Sequence, residues 1–286
     1  MPELELICDY SCEIGENPLW HPFEKVLYWC DIPAGRIFRF DPSSGKHEQC
    51  YQGEPVGGFT IQADGSLLFF MAKGAVKIWR KGEMVTIIDH LPDELDSRFN
   101  DVIADPAGGV FCGTMPTQDR PGRLYHLAPS GEIKLLLEGI RCPNGFGFSL
   151  DRKQLYFTDS RAWVIYRFDY DEKSSAISNR QVFVTIAERD GFPDGMTIDA
   201  EGYIWSALWD GSALVRYTPA GREERRIAIP ARKASSLIFG GETLSEIYVT
   251  TAGGNAKESD GPAAGGLFRF TPGVRGVPEF FSKVGI

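Results

Sequence analysis

The sequence predicts an all-β fold: a six-bladed β-propeller with a central metal site. Three observations predict it. Short runs rich in Val, Ile, Phe, Tyr and Trp fall between turn signals along the whole chain, and long helical periodicity is nearly absent. The runs recur in groups at intervals of about 40 to 50 residues. One position of the repeat gathers carboxylate and amide side chains.

Residues 4–8 come first, ahead of the repeats, and are expected to pair into the last blade and close the ring, which removes an open sheet edge. The first repeat runs through ENPLWHP, a turn near Pro22, VLYWCDI and the partly basic RIFRFDPSSG. GGFTIQADGSLLFF opens the second, turning at Asp64 and Gly65. The segment after it, 86–97, has room for one turn of helix at most, because Pro92 interrupts it. NDVIADPAGGVFC, with its turn at Pro106, and RLYHLAPSG make the third repeat. NGFGFSLDRKQLYF and VIYRFDYD make the fourth, turning at Asp151. DGMTIDAEGYIW and LVRYTPAG make the fifth, with Glu201 and Gly202 at the turn. SSLIFGGETLSEIYV and LFRFTPG close the series around Gly241. Six such units with four strands each account for 286 residues as one domain, 1–286. A β-sandwich would also use short strands, but would not explain the period.

Composition narrows the function. Thirty basic residues against 39 acidic ones give a net charge of −9, which argues against a broad nucleic-acid surface. The longest apolar run, 67–72, is far shorter than the roughly 20 residues that cross a bilayer. MPELELICDY carries acids where a signal peptide needs a basic region, so a cytoplasmic location is expected. The six cysteines form no close-spaced framework and are expected to be reduced and mostly buried. Four scattered histidines, without HExxH, offer no histidine-rich zinc site, and His21 reads as a packed turn residue. No GxSxG elbow and no phosphate-binding glycine loop is present.

Registering the repeats on the strand that opens each blade aligns Glu16, Gly57, Asn100, Asn144, Asp194 and Ser235. The opening strand of a propeller blade is innermost, so these positions converge at one mouth of the central channel. Asn or Asp before Gly is also common turn chemistry, and any one of these residues alone reads most simply that way. The set is harder to explain so. Two carboxylates brought close repel and raise each other's pKa unless a cation lies between them. Carboxylate and amide oxygens together suit a hard divalent cation, Ca²⁺, Mg²⁺ or Mn²⁺, with zinc less favoured.

With GENPLW (15–20), RFND (98–101), GTM (113–115), PNGFGFSLD (143–151), PDGMTIDAEGYIW (193–205) and AAGGLFRF (263–270) in this order, the chain resembles the regucalcin/gluconolactonase family, also called senescence marker protein or luciferin-regenerating enzyme family. The resemblance covers nearly the whole chain and implies the same six-bladed propeller. It implies metal ligands at Glu16, Asn144 and Asp194 and substrate contacts at Arg98 and Asn100. The family's polar residue after GTM falls by count on Gln118, in a shorter loop, and is not carried over. The implied activity is hydrolysis of small sugar lactones, with one divalent cation polarising the carbonyl and Asp194 as the catalytic residue that orients or deprotonates water. The alternatives are the same scaffold acting on other esters such as organophosphates, and a calcium-binding regulatory propeller without catalysis. The loop 252–266, rich in Gly and Ala, reads equally as a lid at the rim or as a solvated connection.

Overall fold

The computed structural model describes residues 3–286. Among the described residues, 24 strands form six antiparallel sheets of four, and each sheet is one repeat of the sequence. The innermost strands are Gly15–His21, Val56–Ile61, Phe99–Ala104, Pro143–Phe148, Phe192–Ile198 and Lys233–Gly240. They touch one another in cyclic order, the sixth against the first, so the ring is closed. Almost every residue on them is buried, whereas outer strands such as Lys46–Gln52 and Ala176–Thr185 are largely exposed. The apolar core is divided accordingly. It lies in packets between adjacent blades, such as Phe59, Phe69 and Tyr28 between the first and second, and Trp205, Phe239 and Phe268 between the fifth and sixth.

The ring closes where the sequence placed it, one residue later. Strand Glu5–Asp9 pairs antiparallel with Gly266–Phe270, opposing Glu5 to Arg269 and Asp9 to Gly266. The sixth blade is thus built from both ends of the chain, with Glu5–Asp9 as its outermost strand covering the edge of Gly266–Phe270. In the 86–97 segment, strand Glu83–Ile88 runs into a single 3₁₀ turn, Pro92–Glu94, as Pro92 requires.

The last residues follow no repeat. From Arg275 to Gly285 the chain crosses the end of the ring where the inner strands finish. The Ala200 N–H donates to the Arg275 carbonyl and the Gly276 N–H to that of Leu244. On the other side of the axis, the Ser282 N–H donates to Ile61 O, Lys283 N–H to Gly108 O, and the Gln62 amide exchanges two bonds with Val284. Between these anchors 277–281 covers a cavity of about 220 Å³ lined by Asn17, Asp101 and Glu279. All six cysteines are unpaired, and five are buried, as expected. Among the described residues no helix is long and apolar enough to cross a membrane.

Candidate functional site

At the other end, where the inner strands begin, a cavity of about 1030 Å³ opens along the axis. Glu16, Arg98, Asn100, Asn144 and Asp194, the five residues singled out in the sequence, all line it. Ser235, at the equivalent place in the sixth blade, does not: its hydroxyl donates to the Gly15 carbonyl and lies 3.1 Å from Thr250 Oγ1.

One backbone device brings these side chains inward. In every blade the ladder between the first and second strands slips by one residue near the registered position. The slips fall between Glu16 and Leu19, Val56 and Gly58, Phe99 and Val102, Asn144 and Phe146, Pro193 and Met196, and Ala234 and Ser236. A bulge breaks the strict alternation of faces and re-aims a side chain. In the first blade it places Asn17 in the left-handed region (φ 47°), where its Oδ1 takes the Phe59 N–H. The turn reading of the Asn-Gly and Asp-Gly pairs is therefore overturned. Both pairs lie inside strands, and the glycines serve close approach: a Cβ on Gly145 would stand 2.4 Å from the Asp194 carbonyl oxygen, and one on Gly195 2.1 Å from Ser236 Oγ.

The amides form a chain across the third and fourth blades. Arg98 Nη1 donates to Phe99 O (2.9 Å) and to Asn100 Oδ1 (2.7 Å). Asn100 Nδ2 donates to Pro143 O (2.8 Å) and Asn144 Oδ1 (3.0 Å), and Asn144 Nδ2 donates to Ser160 Oγ (2.9 Å). These bonds fix the Asn144 amide and leave its oxygen one lone pair. Arg98 pairs with no carboxylate, so a structural salt bridge does not account for it. The Glu16 carboxylate accepts the Asn17 N–H at 2.7 Å. Asp194 Oδ1 is buried and has no hydrogen-bond partner at all.

Electrostatics sharpen that last observation. Burial above all, and then the charge of Asp101, raises the Glu16 carboxyl from an ordinary 4.5 to about 8, against the opposing pull of the Asn17 N–H and Arg98. Asp194 is held well above its ordinary range by burial, then by Glu16 and Asp101. Asp101 itself is raised to about 7 by burial. An unpaired buried carboxylate is costly unless it is protonated or matched by positive charge. Among the described residues no three His, Cys, Asp or Glu side chains converge on one point. A cation here would rest on two carboxylates completed by the Asn144 amide oxygen, and the orphaned Asp194 oxygen fits that donor set.

Other readings resolve plainly. The Cys142 thiol lines the cavity, but burial and then Asp194 push it up to about 12, the reverse of an activated nucleophile. His21 is buried, with Nε2 on the Gly65 carbonyl and Nδ1 accepting the Glu24 N–H. Gln118 is exposed at the tip of a tight turn closed by Thr117 N–H to Arg120 O and does not line the cavity. The loop 252–266 does not reach the cavity either: Gly253 and Gly254 donate to the carbonyls of Glu13 and Cys12, and Cys12 N–H donates to Gly265 O. What the sequence did not indicate is the rim: Arg120, Arg141, Arg161 and Trp163 on connections outside the repeat register, and Trp209 at the end of strand Ile204–Trp209.

Residues 14–253 match the family model described as SMP-30/gluconolactonase/LRE-like region. The chain is 46% identical over 288 residues to the pentonolactonase XacC of Haloferax volcanii, covering 97% of both chains. It is 32% identical to human regucalcin, again over 97% of each. A solved luciferin-regenerating enzyme superposes with a TM-score of 0.90 at 28% identity, over 99% of this chain and 100% of that one.

Proposed function

The chain belongs to the SMP-30/gluconolactonase/LRE-like family, and from that premise we propose that it is a hydrolase that opens small sugar lactones with the help of one divalent cation. The observation that carries the reading is the Asp194 oxygen, buried without a partner beside a second buried carboxylate, in a cavity lined with hydrogen-bonding groups. The similarity to a pentonolactonase supports the substrate class.

Glu16, Asn144 and Asp194 would hold the cation, and their hard oxygen donors suit Ca²⁺, Mg²⁺ or Mn²⁺, with Zn²⁺ also admitted. When bound, the cation supplies Lewis acidity toward the lactone carbonyl and makes water more acidic. The chain's own residues do the rest. Asp194, keeping one carboxylate oxygen for the purpose, orients the attacking water and accepts its proton. Arg98 has guanidinium N–H groups beyond those given to Phe99 and Asn100, and these hold a ring oxygen or hydroxyl of the lactone. Asn100 spends both its N–H donors within the protein, so it meets the substrate through its remaining oxygen lone pair and otherwise positions Arg98 and Asn144.

A site so lined favours a ligand with several hydroxyls, since each buried hydrogen bond left unmade costs roughly 1–3 kcal/mol. Aldonolactones with five- or six-membered rings, such as glucono-, galactono-, xylono- or arabinonolactone, are therefore expected to open much faster than unsubstituted butyrolactone, long acyl lactones or phosphotriesters. The test is acid release from such a panel, corrected for spontaneous opening, before and after exhaustive chelation and with each cation restored. Full activity in protein shown by elemental analysis to be metal-free would refute the mechanism. A preference for apolar lactones or phosphotriesters would refute the substrate class.

A further inference from the structure

Three arginines that pair with no carboxylate, Arg98, Arg141 and Arg161, all open onto the cavity of about 1030 Å³. Arg98 lies deep, beside the carboxylates. The other two stand exposed at the mouth, on the fourth blade. Their placement follows from the ladder. The ladder ends with Pro143 registered against Asp159, and beyond it Ser160 N–H donates to the Cys142 carbonyl, so the two connections leave the blade together and bring Arg141 beside the 3₁₀ turn that carries Arg161. Arg141 Nη1 donates to the Arg161 carbonyl at 3.4 Å, tying one residue to the other.

Like charges directly opposite each other weaken a strand pair, and proteins usually place a carboxylate there instead. Elsewhere in this chain such arginines reach carboxylates: Arg39 faces Glu48 and Arg123 faces Glu138, and where Arg216 stands opposite Arg225 the two pair with Asp199, Glu201 and Glu224. Of the acids nearby, Asp159 accepts the backbone N–H groups of Arg141 and Cys142 with its two oxygens, and Asp210 on the cavity wall pairs with Arg232. The loop is rigid as well. The 3₁₀ turn Ser160–Ala162 ends on Trp163, an aromatic residue in the left-handed region (φ 55°) that stacks on Phe192 at 4.9 Å. Two guanidinium groups that form no ion pair thus stand at the entrance, in a protein whose net charge is −9. Solvated surface arginines would need neither the shared exit from the blade nor the fixed loop.

We propose that Arg141 and Arg161 form an anion subsite, and that the preferred substrates are sugar lactones bearing a second acidic group, carboxylate or phosphate, away from the lactone carbonyl. The inference rests on the lactonase reading of the same cavity. Planar guanidinium groups match both oxyanions in bidentate fashion, and a cationic mouth draws anionic ligands toward the axis.

The experiment compares a monolactone of glucaric acid and a phosphate ester of gluconolactone with neutral gluconolactone, using wild type, Arg141→Gln/Arg161→Gln and Arg141→Glu/Arg161→Glu. Calorimetric binding of glucarate and gluconate is measured alongside. Wild type is expected to favour at least one acidic lactone in kcat/KM. The acidic-to-neutral ratio should fall about tenfold in the Gln pair and further in the Glu pair, with less salt dependence. Whether carboxylate or phosphate shows the larger ratio identifies the source of the anion. Equal affinity of wild type for glucarate and gluconate, or a ratio unmoved by both variants, overturns the subsite. Arginine-dependent glucarate binding without opening of any lactone would uphold the subsite and refute the proposed reaction instead.

Discussion

Glu16→Gln should stabilise the protein when it is stripped of metal, and only at neutral to alkaline pH. In the folded chain the Glu16 carboxyl is raised from 4.5 to about 8, first by burial and then by Asp101. The sign follows from proton linkage. Below pH 4.5 both the folded and the unfolded chain hold the proton and nothing is lost. Between 4.5 and about 8 the unfolded chain releases it while the folded chain keeps it, so stability falls as pH rises. Above about 8 the full cost is present. At about 1.4 kcal/mol per pH unit the gap is worth about 5 kcal/mol. Asp194 titrates in the field of Glu16, so the two ionise as a coupled pair, and roughly half of that gap, about 2–3 kcal/mol, is expected for Glu16 alone. Glutamine keeps an oxygen for the Asn17 N–H and carries no charge, so it escapes this term. Thermal unfolding in chelating buffer should show the variant melting about 5 °C above wild type at pH 8.5, with the difference gone at pH 4.5. Adding a divalent cation should reverse the order, since the cation stabilises the ionised pair that wild type alone possesses. Parallel Tm-against-pH curves for the two proteins would refute the electrostatic account of the site.

Arg98→Ala is expected to leave cation binding, measured by calorimetry, close to wild type while raising KM, or lowering both kinetic terms if the contact tightens in the transition state; loss of the cation would show that the roles were divided wrongly. Gly57→Ala should cost about 3 kcal/mol of stability in urea unfolding, because the added methyl would stand 1.9 Å from the Phe99 carbonyl oxygen on the neighbouring inner strand, and backbone there has no room to retreat. An unchanged denaturation midpoint would refute that close approach.

The ring of blades and the inner-strand residues were legible because both are periodic. Each blade repeats the same burial pattern, and a position read once could be checked five more times. The bulge was not legible. It adds a residue without any composition of its own, and so Asn144-Gly145 and Asp194-Gly195 read individually as turns when they are strand interior. Asp101 was missed for the same reason: one residue past the registered Asn100, it belongs to the opposite end of the channel and yet adds to the repulsion felt by Glu16 and Asp194. Arg141 and Arg161 lie on connections that differ from blade to blade, where no period exists to register them. The segment that crosses the far end, 275–285, follows the last repeat and carries no signal of where it docks.

That terminal segment has a consequence for traffic. By crossing one end of the channel, it leaves the large cavity at the other end as the main doorway. The lactone and the hydroxy acid formed from it must use the same entrance, and the acid has to leave before the next ring can come in. Release of product therefore competes directly with capture of substrate, and the groups set around that doorway govern both directions of passage.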